Sequence, residues 1–337
     1  MRIIIDGMGG DNAPGAIVEG VVMASEKIRE ELVIIGREDE IAAELSKYEY
    51  DGSKVKILNA TEVIENEEAP VRAVRTKKDS SIVKGLTLVK NGDADMFISA
   101  GSTGALMAGG LFIVGRIPGI DRPAVASMYP VLGKGVTLLV DSGANSECKP
   151  RNLLEFGVMG SIYMDKVMGI DDPRVGLVNL GAEENKGSTL TKAAFGLLQQ
   201  SSVNFVGNVE ARDVPLGACD VTVCDGFVGN VILKLSEGLG LGIMGLMKEK
   251  LTSNIKAKMG TLILKDKLKD LKSAFDYTEY GGAPILGIKG PVVKMHGSAD
   301  ANAVMNSIIK AVPYAKEGVV NIIQRQVLEL EEIEESE

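Results

Sequence analysis

Between Ser99 and Gly104 the chain reads Ser-Ala-Gly-Ser-Thr-Gly, behind the apolar run Met96-Phe97-Ile98 and ahead of Ala105-Leu106-Met107. A short strand entering such a turn and then a helix makes an anion cradle. Glycines without Cβ let backbone N–H groups close around a small anion at the helix N-terminus, and the hydroxyls add donors. Phosphate, free or esterified, is the expected guest of Ser99, Gly101, Ser102, Thr103 and Gly104. Taken alone, the turn is equally an ordinary strand-to-helix junction capped by Ser and Thr.

The rest of the chain repeats the construction. Arg2 to Ile5 runs into Asp6-Gly-Met-Gly-Gly-Asp-Asn-Ala-Pro14, and Ile17, Val21, Val22 and Ile28 then mark a helix. Strands are expected at Leu32 to Gly36 and Val55 to Leu58, and helices at Ile41 to Leu45 and Ile82 to Val89. Further strands at Gly135 to Val140, Val175 to Val178, Asn204 to Val206 and Asp220 to Cys224 each stop at a loop rich in Gly, Asn or Asp. Alternation of this kind requires a largely parallel sheet in an α/β chain. Ligands in such sheets sit beyond the carboxyl ends of the strands. The loops at 6–12, 99–104, 141–145, 179–187 and 225–230 are therefore expected to converge on one crevice.

Composition narrows the function. Aromatic residues are 4% of the chain, Trp is absent and the formal net charge is -9, which speaks against nucleic acid as a partner. Cys148, Cys219 and Cys224 form no C-x-x-C pair and read as reduced thiols in a cytoplasmic protein. The apolar start is too short for a signal peptide, and no window suggests a bilayer-spanning run. Gly240, Gly242 and Gly245 match the dinucleotide pattern G-x-G-x-x-G but follow no strand. The single His296 forbids a multi-histidine metal site. Neither a metal nor an organic cofactor is expected.

Two basic stretches stand out. Arg72, Arg75, Lys77 and Lys78 form one. From Leu246 to Lys272 there are eight lysines against Glu249, Asp266 and Asp270, a local charge of +5. Apolar residues recur there every three or four positions, giving an amphipathic helical hairpin over 243–276 with its turn at Gly260-Thr261. Leu262, Ile263 and Leu264 form its tip, flanked by Lys256, Lys258, Lys265 and Lys267. This suits an anionic membrane surface, or packing on a second subunit, equally well. Ser298 reads as an N-cap with Asp300 in the following first turn, and the acidic run over 326–337 as a tail fraying into solvent.

Several motifs in order resemble the bacterial phosphate acyltransferase family of phospholipid synthesis, PlsX. They are Asp6-Gly-Met-Gly-Gly-Asp11, Ser99-Ala-Gly-Ser-Thr-Gly-Ala105, Asp141-Ser-Gly-Ala-Asn145, Asp225-Gly-Phe-Val-Gly-Asn230 through Lys234, and Gly281-Gly-Ala-Pro through His296-Gly-Ser. Gly7, Ser102 and Ser142 depart from the family's usual Ala, Asn and Val. The resemblance implies a Rossmann-like three-layer α/β/α fold related to phosphotransacetylases and isopropylmalate dehydrogenases, built as one unit or two lobes, and a homodimer. It implies conversion of acyl-[acyl carrier protein] and inorganic phosphate to acyl phosphate and free carrier. The product then feeds a membrane glycerol-3-phosphate acyltransferase, which gives a cytoplasmic enzyme reason to touch the membrane peripherally.

Phosphate is already a nucleophile and a thioester already activated, so positioning and charge stabilisation can carry the reaction. Lys186 and Asn230, each closing a glycine loop, are the expected stabilisers of the oxyanion or departing thiolate. Asp225 and His296 are further catalytic candidates. Asp6, Gly9, Gly10, Asp11, Asn145 and Lys234 are expected to order loops or bind substrate. The rival readings are a β-decarboxylating NAD-dependent dehydrogenase and a non-catalytic membrane scaffold.

Overall fold

The computed structural model describes residues 1–133, 135–268 and 280–336, with side-chain surroundings as far as Leu328 in the last helix. Among the described residues eleven strands form one sheet: β1 (Arg2–Asp6), β2 (Glu31–Gly36), β3 (Val55–Asn59), β4 (Met96–Ser99), β5 (Ala124–Val131), β6 (Gly135–Val140), β7 (Val175–Asn179), β8 (Phe205–Glu210), β9 (Val221–Val223), β10 (Ala283–Leu286) and β11 (Val292–Lys294). Their order is β3-β2-β1-β4-β11-β10-β5-β6-β9-β7-β8. Runs such as Ile3-Ile4-Ile5 are apolar throughout because both faces are covered: Ile3 and Ile5 enter one core cluster and Ile4 the other.

One face carries α1 (Gly15–Ser25), α2 (Glu38–Leu45), α6 (Pro150–Lys166), α7 (Thr189–Gln200), α10 (Ala301–Lys316) and α11 (Val319–Ser336). The other carries α3 (Pro70–Thr76), α4 (Ser81–Asn91), α5 (Thr103–Gly109) and the start of α8 (Gly226–Leu251). The expected three-layer α/β/α fold is what forms.

The centre of the sheet was not legible as such. β10 pairs antiparallel with both β11 and β5, and β5 antiparallel with β6, while the flanking pairs are parallel. The strands on either side of this seam consequently run in opposite senses. Lys294, at the carboxyl end of β11, pairs with Ala283, and Val140, at the carboxyl end of β6, pairs with Ala126. The loop-bearing ends of the two halves thus face each other across the middle of β5.

Three expectations need correction. The hairpin breaks earlier than Gly260-Thr261. Asn254 caps α9 (Ile255–Ile263) by accepting from the Ala257 N–H at 2.9 Å, and Thr261 lies inside that helix with its hydroxyl on Ala257 O. Its apolar tip is exposed as expected, Ile263 by 84%; the return through Leu271 and Phe275 lies outside the described residues. Residues 326–336 continue α11 instead of fraying at once, because Val319, Ile323 and Val327 repeat every four residues and are buried in the core. Finally, α8 is long and apolar enough to cross a bilayer by length and composition, although glycines interrupt its apolar run. Its buried residues are confined to Gly226, Gly229 and Ile232, and Leu235, Leu239 and Leu241 stand exposed.

Candidate active site

Where the two halves meet lies a cleft of about 290 Å³. Thr103 at the start of α5 and Lys294 to His296 after β11 form one wall; Ser142 and Gly143 after β6 form the facing one. The first turns of α8 add Asn230, Leu233, Lys234 and Glu237, and β5 supplies Val125, Ser127 and Met128 as floor. Of the five loops expected to converge, 99–104, 141–145 and 225–230 each place residues in this lining. The 6–12 loop braces it from behind. The 179–187 loop does not reach it.

Buried carboxylates hold the walls. Asp6 accepts from the Ser99 hydroxyl at 2.6 Å and the Met8 N–H at 3.1 Å, and Ser99 Oγ accepts from the Gly101 N–H at 3.0 Å. Ser99 and Gly101 are thereby committed to the loop's own shape, which corrects their assignment as phosphate ligands. A Cβ at Gly9 would stand 2.5 Å from Gly101 N, and Gly10 combines a φ of +96° with close approach to Gly297 O. The Asp11 N–H donates to Gly297 O at 2.8 Å, tying the loop to the turn after β11 in the same wall. Ser102 caps α5 by accepting from the Ala105 N–H, so Thr103 and Gly104 are the cradle residues left at the helix N-terminus.

Asp141, fully buried, organises the facing loop. Its Oδ1 accepts from the N–H groups of Val125, Gly143 and Ala144 at 3.0–3.1 Å. Its Oδ2 accepts from the Asn145 N–H at 2.6 Å and the Asn145 amide at 2.9 Å. Burial nonetheless raises the pKa of both Asp6 and Asp141, outweighing these hydrogen bonds. Asn145 also donates to Pro123 O at 2.8 Å.

The expected catalytic residues separate. Asn230 and His296 line the cleft. Asp225 does not; its carboxylate caps α8 by accepting from the Val228 N–H at 2.9 Å. Lys186 is exposed, 4.0 Å from Glu183 and outside the lining, because its loop follows β7, and β9 stands between β7 and β6. Lys234 lines the cleft and pairs with Glu237 at 2.8 Å. His296 Nδ1 meets the Ser298 hydroxyl at 2.8 Å and accepts from its N–H at 3.2 Å, which places the neutral ring's proton on Nε2. Burial lowers the His296 pKa, reinforced by the cations of Lys234 and Lys294 and opposed by Glu237. Ser298 therefore serves His296, and the cap of α10 is Asp300, which accepts from the Ala303 N–H at 2.8 Å.

Lys294 was missed. Its ammonium donates to Ala100 O at 3.2 Å and to Met295 O, linking the cradle to the end of β11. Desolvation lowers its pKa to about 8, against the pull of Asp6 and Asp11. A lysine closing the apolar run Val292-Val293 just before the quoted His296-Gly-Ser motif was the available signal. The cysteines are free thiols, and burial raises all three, Cys148 to about 11, so none is poised as a thiolate. Gly240, Gly242 and Gly245 lie inside α8 facing open space, with no phosphate turn around them.

The fold is one shared with solved phosphotransacetylases. The phosphotransacetylase from Streptococcus pyogenes superposes with a TM-score of 0.61 at 19% identity over 94% of each chain. The branched-chain phosphotransacylase from Enterococcus faecalis V583 does so at 0.57 and 16% identity, over 94% of this chain and 99% of that one. More specifically, residues 1–322 match the family described as "Fatty acid synthesis protein", and the chain belongs to that family. It is 51% identical to the phosphate acyltransferase of Clostridioides difficile (strain 630) over 96% of both chains. With that of Alkaliphilus oremlandii (strain OhILAs) it shares 52% identity over 98% of both.

Proposed function

We propose that this enzyme transfers the acyl group of a long-chain acyl-[acyl carrier protein] to inorganic phosphate. The observation that carries the reading is the union, in one cleft, of a cationic end formed by Lys294, Lys234 and the N-terminus of α5 with an apolar floor formed by Val125, Met128 and Leu233. An anion and an acyl thioester can meet there. The high identity to named phosphate acyltransferases along the whole chain supports it.

In this mechanism Thr103, Gly104 and Lys294 hold phosphate beside the thioester carbonyl. A phosphate oxygen attacks the carbonyl carbon, and the Asn230 amide donates to the oxyanion of the tetrahedral intermediate. The C–S bond then breaks, giving acyl phosphate and the carrier thiolate, which takes up a proton. In this reading His296, neutral and protonated at Nε2, donates to the departing sulfur.

The exposed apolar face of α8 is proposed to pack on a second copy, and the tip of α9 to touch an anionic membrane, where a glycerol-3-phosphate acyltransferase would receive the product. In the other basic stretch, Lys77 is engaged by Glu68 and Lys78 by Val74 O, while Arg75 lies over the Phe112 ring. Arg72 and Arg75 are the residues there proposed to receive the acidic carrier protein.

The test is thiol release from a 16-carbon acyl-[acyl carrier protein], with and without phosphate. Phosphate-dependent release with acyl phosphate as product is expected. Release without phosphate would mean hydrolysis, and no release would return the dehydrogenase or scaffold readings.

A further inference from the structure

The floor of the cleft has an opening. β10 pairs with β5 only at Ile285–Val125 and Leu286–Ala124, and its first residue, Ala283, already pairs with Lys294 of β11. From Ser127 onward β5 is paired on the β6 side alone among the described residues. The cleft passes through this gap in the sheet. Val125 in its lining belongs to the core cluster under α4 and α5, whereas Met128, whose side chain points the other way, belongs to the cluster under α1, α6 and α10.

Beyond the gap the cleft runs along α10, past Ala299 and Ala303. Ser307 there turns its hydroxyl back to Ala303 O at 2.7 Å, so the wall it presents is apolar in effect. A second, nearly closed crease of about 10 Å³ follows, and Met128 and Gly282 line both spaces. Its far side is made by Tyr163, Tyr280 and Ala311, and the Lys310 ammonium lies over the Tyr280 ring at 5.4 Å. Gly282 lets the chain lie close against β11 at this point: a Cβ there would stand 2.5 Å from Val293 Cγ1 and 2.9 Å from Lys294 O. Between the two spaces stands an unbranched methionine, the side chain most able to change shape at small cost.

Size gives this continuity a purpose. Ligand pockets span about 300–1,000 Å³, and the open cleft, at about 290 Å³, sits at the bottom of that range while already holding the phosphate end.

We propose that the acyl chain of the substrate threads through the gap in the sheet and ends in the crease behind Met128, so that Met128 and Ala311 set the chain length the enzyme accepts. The inference rests on the acyltransferase reading above. The thioester stays at the polar mouth by Asn230 and Lys294, and the methyl end swings Met128 aside. Chains that stop short of Met128 bind without using the crease.

The test measures kcat/KM for acyl-[acyl carrier protein] of 8, 12 and 16 carbons with phosphate, in wild type, Ala311→Leu and Met128→Ala. Leu at 311 fills the crease from its far side. It should lower the ratio of 16-carbon to 8-carbon activity about tenfold, as expected for about two methylenes denied burial, with the 8-carbon value within about twofold of wild type. Met128→Ala removes the gate and should raise the same ratio. Because each readout is a ratio within one variant, a loss of folded protein cancels, and the two variants must move in opposite directions. An unchanged ratio in both, with acyl phosphate still formed, would overturn the tunnel alone. Absence of acyl phosphate from every chain length in wild type would overturn the acyltransferase reading and the tunnel with it.

Discussion

Replacing Asp141 by Asn tests whether one carboxylate holds the facing wall of the cleft. The variant is isosteric, yet an amide offers one acceptor atom in place of two. If the new amide nitrogen takes the place of Oδ2, it points its hydrogens at the Asn145 N–H and the Asn145 amide, now 2.6 and 2.9 Å away. Two charge-assisted hydrogen bonds are lost, at about 1.5–3 kcal/mol each. Relief of the buried charge, whose cost is visible in the raised Asp141 pKa, offsets part of this. A net loss of about 3 kcal/mol follows. For 337 residues the unfolding entropy is about 0.7 kcal/mol/K, so Tm should fall by about 4 °C. Activity should suffer more than stability. Ser142 and Gly143 would lose their anchor, and Ser142 Oγ, 2.7 Å from Ser127 Oγ, fixes the wall against the floor. Calorimetry and phosphate-dependent thiol release on the same preparation give both numbers, with turnover down at least about tenfold. A variant melting within about 1 °C of wild type and turning over normally would refute the reasoning, because the loop would then be held by something other than this carboxylate.

Lys294, with a pKa lowered to about 8, is charged below that pH and neutral above it. The KM for phosphate should therefore climb at least about tenfold as pH passes from 7 to 9, and Lys294→Met should have a high KM that is flat over this range. The stability effect has the opposite sense: the fold disfavours the ammonium, so this group's contribution to stability rises between about pH 8 and the ordinary lysine value, which a pH series of melts on both proteins would read. Asn230→Ala should cost about 100-fold in kcat as a lost oxyanion donor, whereas Lys186→Ala should stay within about threefold. The reverse ranking, in steady-state kinetics on folded protein, would move the reaction out of the cleft described.

Local pattern determined a good deal. The outer parallel strands, the glycine loops after them and the helices with regular apolar spacing depend on neighbours in the chain, so β1, β2, β4 and β6 fall where their apolar runs stand. The strand-to-helix turn at 99–104 and the cleft positions of Asn230, Lys234 and His296 were likewise legible. Only tertiary structure decided how these pieces face one another. β10 is short and each of β5 and β10 contains a proline, and their antiparallel pairing is a choice of partner far away in sequence, which no local periodicity records. That choice reverses one half of the sheet against the other, brings 99–104 opposite 141–145 and leaves 179–187 outside. It also takes the Ser99 hydroxyl from a ligand to Asp6, and buries Lys294 where its charge is costly and therefore useful. Residue types set what chemistry was available; the pairing of distant strands set which residues share a site.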